Sequence, residues 1–259
     1  MKKILSVLLI LALAVALVAC TTDEIEETNE NDEPVVASDA NIEEPDVVEE
    51  AETVTVMTHE EYIAAALDSE VVIETYVQAH QSWWDNKITV YCQSPDGAYF
   101  LYELACAEED AAKLVPGTKI RVTGTKGEWA GEVEVMSGTF EFVEGADTYI
   151  AEAFDATALL GTEELIAHQN EFVAFKGMTV NEVSFKNGEP GDDIYLSVLK
   201  GGNKYDFCVE YYLTGTDTEV YQAVSALEGG ELVDIEGFLY WYEGMNPHIT
   251  SITVIDDAF

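Results

Sequence analysis

The sequence predicts a mainly β protein made of two tandem five-stranded barrels, each with a short helix between its third and fourth strands. The first observation is a repeated segment: residues 114–124 and 227–237 each start with Leu, reach Gly three positions later and reach a second Gly seven positions after that. The second is that alternating apolar and polar runs, typical of strands, fill both halves. Because several residue types keep their spacing at once, the repeat indicates two copies of one fold.

The predicted first domain, residues 57–150, begins with a helix. Thr58-His-Glu-Glu61 has the capping-box pattern, which predicts a helix from Thr58 to about Leu67. Ser94-Pro95-Asp96-Gly97 predicts a hairpin turn, because Pro presets φ and Gly permits a positive φ. A second short helix is predicted over 108–114. The predicted strands are 71–78, 88–93, 98–104, 117–124, and a closing region of 131–136 and 139–143.

The predicted second domain, residues 151–259, repeats this plan after a helical connection over 153–160 and 162–168. Lys200-Gly-Gly-Asn203 is typical of a hairpin turn, and residues 217–227 predict the helix before the fourth strand. The predicted strands are 172–183, 193–199, 205–213, 231–241 and 249–255.

The order of strand, hairpin, helix and two closing strands resembles the OB fold, a five-stranded, partly open Greek-key barrel. The resemblance covers about residues 70–144 and depends on element order and on Gly124 and Gly237, which mark sharp bends in a strand. It implies a binding function, since OB folds hold oligonucleotides and oligosaccharides on strands two and three and the adjoining loops.

The N-terminus has the pattern of an export signal. Lys2 and Lys3 precede an apolar run over residues 4–18, which ends in Ala19-Cys20. Leu17-Val18-Ala19-Cys20 resembles the lipobox of bacterial lipoproteins, in which the Cys is lipid-modified and becomes the new N-terminus. Together, the leader and the two predicted OB domains resemble the tandem OB lipoproteins of bacterial envelopes. It implies a signal peptide over 1–19, lipid attachment at Cys20 and a protein held on the extracytoplasmic side of a membrane, with the membrane contacted through the lipid.

The charge of the chain is strongly negative. Residues 20–56 are rich in Asp and Glu and contain no aromatic residue, which predicts an extended acidic tether. Residues 57–259 contain nine Lys and Arg and 37 Asp and Glu, a net charge of 9 − 37 = −28. Nucleic acids are bound largely through Lys and Arg that neutralise phosphates. The composition therefore disfavours a nucleic-acid partner.

The sequence contains no recognisable catalytic motif. It has no Gly-x-Ser-x-Gly elbow, His-Glu-x-x-His helix, phosphate-binding loop or dinucleotide fingerprint, so an enzyme, a metal site and a cofactor are not predicted. The histidines lack ligand spacing and are expected on the surface or in loops. Cys92 and Cys106 permit a disulfide in an exported protein, with buried free thiols as the alternative.

Aromatic residues are the best candidates for a binding site. Trp83 and Trp84 lie in the predicted loop between strands one and two, and Trp129 and Lys126 in that between strands four and five. If Ile88 and Val90 fill the barrel, alternation places Tyr91 and Tyr99 on its outer face. The candidate ligand-binding residues are thus Trp83, Trp84, Tyr91, Tyr99, Lys126 and Trp129, with Tyr195, Tyr212, Tyr240, Trp241 and Tyr242 as weaker candidates in the second copy.

These observations favour an extracytoplasmic binding or adaptor protein that recognises an oligosaccharide or a peptide. One alternative is a single-stranded nucleic-acid-binding OB protein, which the fold permits and the charge opposes. Another is a structural envelope spacer, which burial of Trp83, Trp84 and Trp129 between the domains would favour.

Overall fold

A computed structural model describes residues 55–255 of the chain. Strands account for nearly half of this part, and helices are short. The helices are α1 His59–Ala64, α2 Glu108–Ala111, α3 Tyr211–Thr214 and α4 Glu219–Ser225, with two 3₁₀ helices at Thr157–Leu159 and Glu163–His168. The strands are β1 Glu70–His80, β2 Lys87–Ser94, β3 Gly97–Ala105, β4 Lys119–Trp129, β5 Glu132–Phe142, β6 Phe154–Asp155, β7 Phe172–Phe185, β8 Ile194–Lys200, β9 Asn203–Val209, β10 Leu232–Phe238 and β11 His248–Val254.

Both halves of the described chain form barrels with the same strand order. The first is closed in the order β1-β2-β3-β5-β4, and β4 pairs back with β1. In the second sheet β7-β8-β9-β11-β10 follows the same order, β10 pairs back with β7, and β6 adds to the outer side of β7. This is the strand order of the OB fold, so the predicted fold class is confirmed.

The repeated glycines lie at matching bends. The pairing register shifts next to Gly124 in β4 and at Gly237 in β10, as in a β-bulge. A Cβ on Gly237 would lie 2.1 Å from the His248 carbonyl oxygen, and one on Gly124 would lie 2.6 Å from Val135 Cγ1. Only a residue without a side chain allows the two strands to approach this closely at each bend.

Two local predictions have different outcomes. The capping box before α1 is present in both directions, since Thr58 Oγ1 accepts from Glu61 N and Glu61 Oε2 accepts from Thr58 N. The predicted strand 205–213 is wrong at its end, because β9 stops at Val209 and α3 follows. The carboxylate of Glu210 accepts from the amides of Tyr212 and Leu213, which starts a helix where alternation alone suggested a strand.

The two barrels lie within one compact unit and share a third apolar cluster in addition to their own cores. Tyr91 of β2 and Phe100 of β3 face outward from the first barrel, and both pack with Phe238 of β10. The rings of Tyr91 and Phe238 stack with centroids 4.7 Å apart. We call this contact between the barrels the joint.

Polar contacts continue the joint on both sides of the aromatic cluster. The backbone amide of Trp241 donates to Glu132 Oε2 at 2.8 Å, and the amide of Glu243 donates to the Ala130 carbonyl at 2.7 Å. The amide of Phe172 donates to Gln93 Oε1 at 2.8 Å. Backbone groups that would otherwise face water are therefore paired across the joint.

The predicted signal peptide, Cys20 and nearly all of the acidic tether lie outside the described residues, and lipid attachment stays a prediction. Within residues 55–255, none of the helices has the length and apolar composition needed to cross a membrane.

We predict that Gly237→Ala lowers the free energy of unfolding by about 1–3 kcal/mol, because the added Cβ must displace backbone at the bend. Chemical denaturation of the soluble fragment 57–259 measures this change. Gly229→Ala is the matched control, since its Cβ would have ordinary contact at 3.4 Å. Equal stabilities of the two variants would contradict the role of the bend.

Candidate ligand-binding site

A cleft of about 540 Å³ lies where the loop between β1 and β2 meets α3 of the second barrel. Four aromatic side chains line it: Trp83, Trp84 and Tyr102 from the first barrel, and Tyr212 from the second. Its size falls within the range of small-molecule sites. The other lining residues are Gln81, Ser82, Lys87, Ile88, Thr89 and Glu103.

A tight turn fixes the position of Trp84. Trp84 and Lys87 exchange two backbone hydrogen bonds, of 3.0 and 2.9 Å, around Asp85 and Asn86. Both turn residues have positive φ, 47° and 59°, as a type I′ hairpin turn requires, and Asn and Asp tolerate that region better than most residues. Trp84 is 78 % exposed beside this turn and is thus available to a ligand.

Trp83 forms a better anchored part of the same wall. Its indole Nε1 donates to the Cys106 carbonyl at 2.9 Å, and the ring packs against the core of the first barrel. An indole fixed at its polar end keeps a defined orientation, which reduces the entropy lost when a ligand binds.

A bulge in β3 directs Tyr102 and Glu103 toward the cleft. The register between β2 and β3 shifts between Ile88 and Val90, and Glu103 has a positive φ of 48°. The Glu103 amide donates to Thr89 Oγ1 at 3.2 Å instead of continuing the regular ladder. The Glu103 carboxylate then forms an ion pair of 2.6 Å with Lys87. Bulges commonly re-aim side chains at sites of function.

The second barrel supplies Tyr212 through α3. The Tyr212 carbonyl accepts from the Ser82 amide at 2.7 Å, so the helix is bound directly to the loop that carries the two tryptophans. At the start of α3, Asp193 Oδ1 accepts from the Tyr211 amide at 2.9 Å, beside the Glu210 cap. The fourth aromatic wall is therefore held by contacts on both barrels.

The predicted outward position of Tyr99 is wrong. Tyr99 pairs with Cys92 in the hairpin, and residues directly opposite in an antiparallel pair point to the same side of the sheet. Because Cys92 faces the barrel interior, Tyr99 lies in the core and packs edge to face on Tyr62.

Tyr91 does point away from the barrel, as predicted, but the second barrel covers it. It is 1 % exposed, accepts from Gln81 Nε2 at 3.4 Å, and its hydroxyl shares a hydrogen bond of 2.6 Å with Nδ1 of His248. His248 is thus buried in the joint, which corrects the expectation that the histidines lie on the surface or in loops. Burial lowers the pKa of His248 to about 3, so the ring is neutral and can accept this hydrogen bond.

Lys126 is not available to a ligand. It is buried, and its ammonium donates to the carbonyls of Tyr62, Ile63 and Ala65 at 2.7–2.9 Å. These carbonyls lie at the C-terminal end of α1, where backbone acceptors lack partners within the helix. Burial lowers the pKa of Lys126.

Trp129 is 63 % exposed at the end of β4, but it does not line the cleft. Of the six predicted residues, the structure brings Trp83 and Trp84 into the cleft. It adds Tyr102 and Tyr212, the second of which was only a weak candidate. Because Trp84 and Trp129 are exposed, the three tryptophans are not all buried between the barrels, so the observation that would favour a structural spacer is not made.

The cysteines of the described part are free thiols. Cys92, Cys106 and Cys208 are all buried, so the disulfide left open between Cys92 and Cys106 is not formed. Burial raises the pKa of each thiol.

All nine Lys and Arg of the described residues already contact acceptors. Lys126 and Lys200 donate to backbone carbonyls, and the other seven form ion pairs with Asp or Glu. Within residues 55–255, no basic side chain is thus left without an acceptor. These pairs are Lys87 with Glu103, Lys113 with Asp110, Lys119 and Arg121 with Glu74, Lys176 with Asp155, Lys186 with Asp193, and Lys204 with Asp206.

No family model and no curated protein matches the chain. Solved structures that are similar include the p204 HINb domain, at 14 % identity over 74 % of this chain and 100 % of that one, with a TM-score of 0.35. A murine DNA-binding protein bound with double-stranded DNA has 12 % identity over 73 % of this chain and 97 % of that one, with a TM-score of 0.34. A replication protein A heterotrimer bound to single-stranded DNA has 11 % identity, coverages of 73 % and 49 %, and a TM-score of 0.29. At these TM-scores the likenesses carry no weight in assigning a ligand.

We predict that Lys126→Met lowers the free energy of unfolding by about 1–3 kcal/mol, because three carbonyls lose a charged donor. Thermal or chemical unfolding measures the change. Lys204→Met, which removes an exposed ion pair with Asp206, should stay within about 0.5 kcal/mol. A stable Lys126→Met protein with impaired ligand binding would restore Lys126 as a binding residue.

Proposed function

We propose that this protein binds an uncharged oligosaccharide in the cleft and acts as a binding or adaptor module rather than an enzyme. The observation that carries the proposal is that four aromatic rings line one cleft whose only charged side chains, Lys87 and Glu103, neutralise each other. Such a surface offers no net charge to attract an ionic ligand.

The chemistry of the lining suits a sugar. Flat aromatic rings pack against the apolar C–H faces of pyranose rings, which are large, rigid contact surfaces. Gln81, Ser82 and Thr89 add amide and hydroxyl groups, while the Lys87–Glu103 pair supplies both a donor and an acceptor to ligand hydroxyls. A peptide segment with a neutral, extended backbone would use the same groups.

The proposal includes the location expected from the N-terminal sequence. Lipid attachment at Cys20 and an acidic tether over residues 20–56 would hold the cleft away from the membrane, since like charges keep the tether extended. We propose this extracytoplasmic position on the resemblance of Leu17-Val18-Ala19-Cys20 to a lipobox.

A second candidate is single-stranded nucleic acid. Bases stack on the same kinds of ring. Some of the similar solved structures are described with DNA, but at TM-scores of 0.34 and 0.29 these likenesses carry no weight in assigning the ligand of this chain. Against it, every Lys and Arg of the described residues is paired as described above, so phosphates would have to break existing contacts. Binding of a nucleic acid would be distinguished by a steep loss of affinity as salt is added.

We predict that fragment 57–259 binds a neutral oligosaccharide on a panel that includes cellohexaose, maltohexaose, neutral peptides and single-stranded oligonucleotides. Trp84→Ala and Tyr102→Ala should each weaken that binding about tenfold, because each removes a stacking surface worth roughly 1–2 kcal/mol. Isothermal titration calorimetry at two salt concentrations measures affinity and salt dependence.

Trp129→Ala is the matched control, since it removes another largely exposed tryptophan that lies outside the cleft. Oligosaccharide binding that is unchanged by Trp84→Ala, or reduced equally by Trp129→Ala, would contradict the cleft as the site. Salt-sensitive binding of oligonucleotides alone would favour the second candidate.

A further inference from the structure

The cleft depends on the joint for its shape. Trp83, Trp84 and Tyr102 belong to the first barrel and Tyr212 to the second, so movement of one barrel against the other separates the walls. The hydrogen bond from the Ser82 amide to the Tyr212 carbonyl crosses between the barrels beside the cleft. Protection of that amide therefore reports whether the cleft is assembled.

A carboxylate lies inside the joint without a neutralising cation. Glu132, the first residue of β5, is 0 % exposed. Its Oε2 accepts from the amide of Trp241 and, at 3.2 Å, from Gln169 Nε2, both in the second half of the chain. Its Oε1 has no hydrogen-bond partner among the described residues. Ionising a buried carboxylate is unfavourable in free energy when one of its oxygens accepts no hydrogen bond from the protein.

Burial and the nearby carboxylate of Glu134, on the same strand β5, make ionisation of Glu132 harder, whereas the hydrogen-bond donors Trp241, Asn170 and Gln169 favour the ionised form. Tyr62 of α1 and Tyr240 of the segment after β10 also lie near Glu132; burial, followed by the charge of Glu132, raises the pKa of both hydroxyls, so they stay neutral. No Lys or Arg of the described part forms an ion pair with either carboxylate. Desolvation raises the pKa of Glu132 to about 8 and that of Glu134 to about 7.

We propose that the charge of Glu132, assisted by Glu134, regulates the cleft by setting how firmly the two barrels dock. The proposal rests on the proposed function for its biological meaning, because the regulated site is the same cleft. When Glu132 is neutral the barrels dock and the four aromatic walls stand together. When it is ionised, opening the joint hydrates the carboxylate and separates Tyr212 from the tryptophans.

The direction of the pH effect follows from proton linkage. In the docked state the pKa of Glu132 is about 8, whereas a hydrated Glu has its ordinary value of 4.5. Between these values the docked state binds more protons than the open state, so docking weakens as pH rises through this window. The cleft should thus loosen toward pH 8 and above. His248, which is neutral in the joint with a pKa of about 3 against an ordinary 6.5, acts in the opposite direction and weakens docking as pH falls below about 6.5.

Amide hydrogen exchange of fragment 57–259 without ligand tests this inference. After correction for intrinsic exchange rates, the Ser82 and Trp241 amides should lose protection together, by at least about tenfold, between pH 6 and pH 9. Glu132→Gln keeps the shape and an acceptor oxygen but removes the charge, so it should reduce this loss. Glu132→Gln combined with Glu134→Gln should abolish it.

Glu128→Gln is the control, because Glu128 is an exposed carboxylate near the end of β4 and its loss should leave the pH dependence unchanged. The inference would be overturned if protection of the Ser82 amide did not change between pH 6 and pH 9, or if the double variant showed the same pH dependence as the wild type. If either glutamine variant fails to fold, the wild-type response of Ser82 and Trp241 still decides: exchange of the two amides without correlation contradicts a common opening.

The two proposals fail separately. Loss of protection at Ser82 and Trp241 that depends on Glu132, together with no binding on the ligand panel, would refute the proposed function and support the pH-sensitive joint. Binding of an oligosaccharide with pH-independent protection would refute the joint mechanism and leave the function standing.

Discussion

The stacking of Tyr91 on Phe238 is the interaction on which the rest of the structure depends, since it places one barrel against the other. Phe100 packs edge to face on the Tyr91 ring, and the Tyr91 hydroxyl is satisfied by buried His248. A large aromatic side chain stabilises by roughly 1.5–3 kcal/mol when fully buried, and a well-placed ring pair adds about 0.5–1.5 kcal/mol. The cluster is therefore strong enough to fix the orientation of the two barrels, in which all three described cysteines are free thiols.

This orientation creates a site that neither barrel contains alone. The loop after β1 has a rigid turn at Asp85 and Asn86, and β3 has a bulge at Glu103, so each wall on the first barrel is pre-arranged. Tyr212 completes the cleft from a four-residue helix on the second barrel. The second barrel thus does more than repeat the first: it supplies Tyr212, the one aromatic wall of the cleft that the first barrel does not provide.

The same joint gives the protein an unusual distribution of buried charge. Among residues 55–255 most carboxylates are solvated, but Glu132 and Glu134 are buried, and Glu132 accepts hydrogen bonds from Gln169 and Trp241 of the second half of the chain. A well-packed apolar pair in their place would stabilise docking more, because burying two carboxylates without a cation costs free energy. We infer that the two acids offset this cost by making docking depend on pH. Their presence connects the assembly of the cleft to the proton concentration around it.

The order of the elements and the barrels themselves could be predicted because turn residues, alternation and the repeated glycines are local signals. The outer position predicted for Tyr99 is wrong because the side on which Tyr99 lies depends on the residue opposite it in the hairpin, and a turn one residue longer or shorter reverses that side. Lys126 resembles an available cation in the sequence, yet its acceptors lie on α1, more than 60 positions earlier. Tyr212 joins Trp84 from 128 positions away (212 − 84), a contact that no local pattern encodes.

The shared cleft depends most on a fixed arrangement of the two barrels in solution. Residual dipolar couplings of backbone amides in fragment 57–259 at pH 6 test it directly. One alignment tensor should fit the couplings of both barrels with the orientation described here. Two different tensors for the two barrels would show that they move independently, and the shared cleft would then not exist as a defined site.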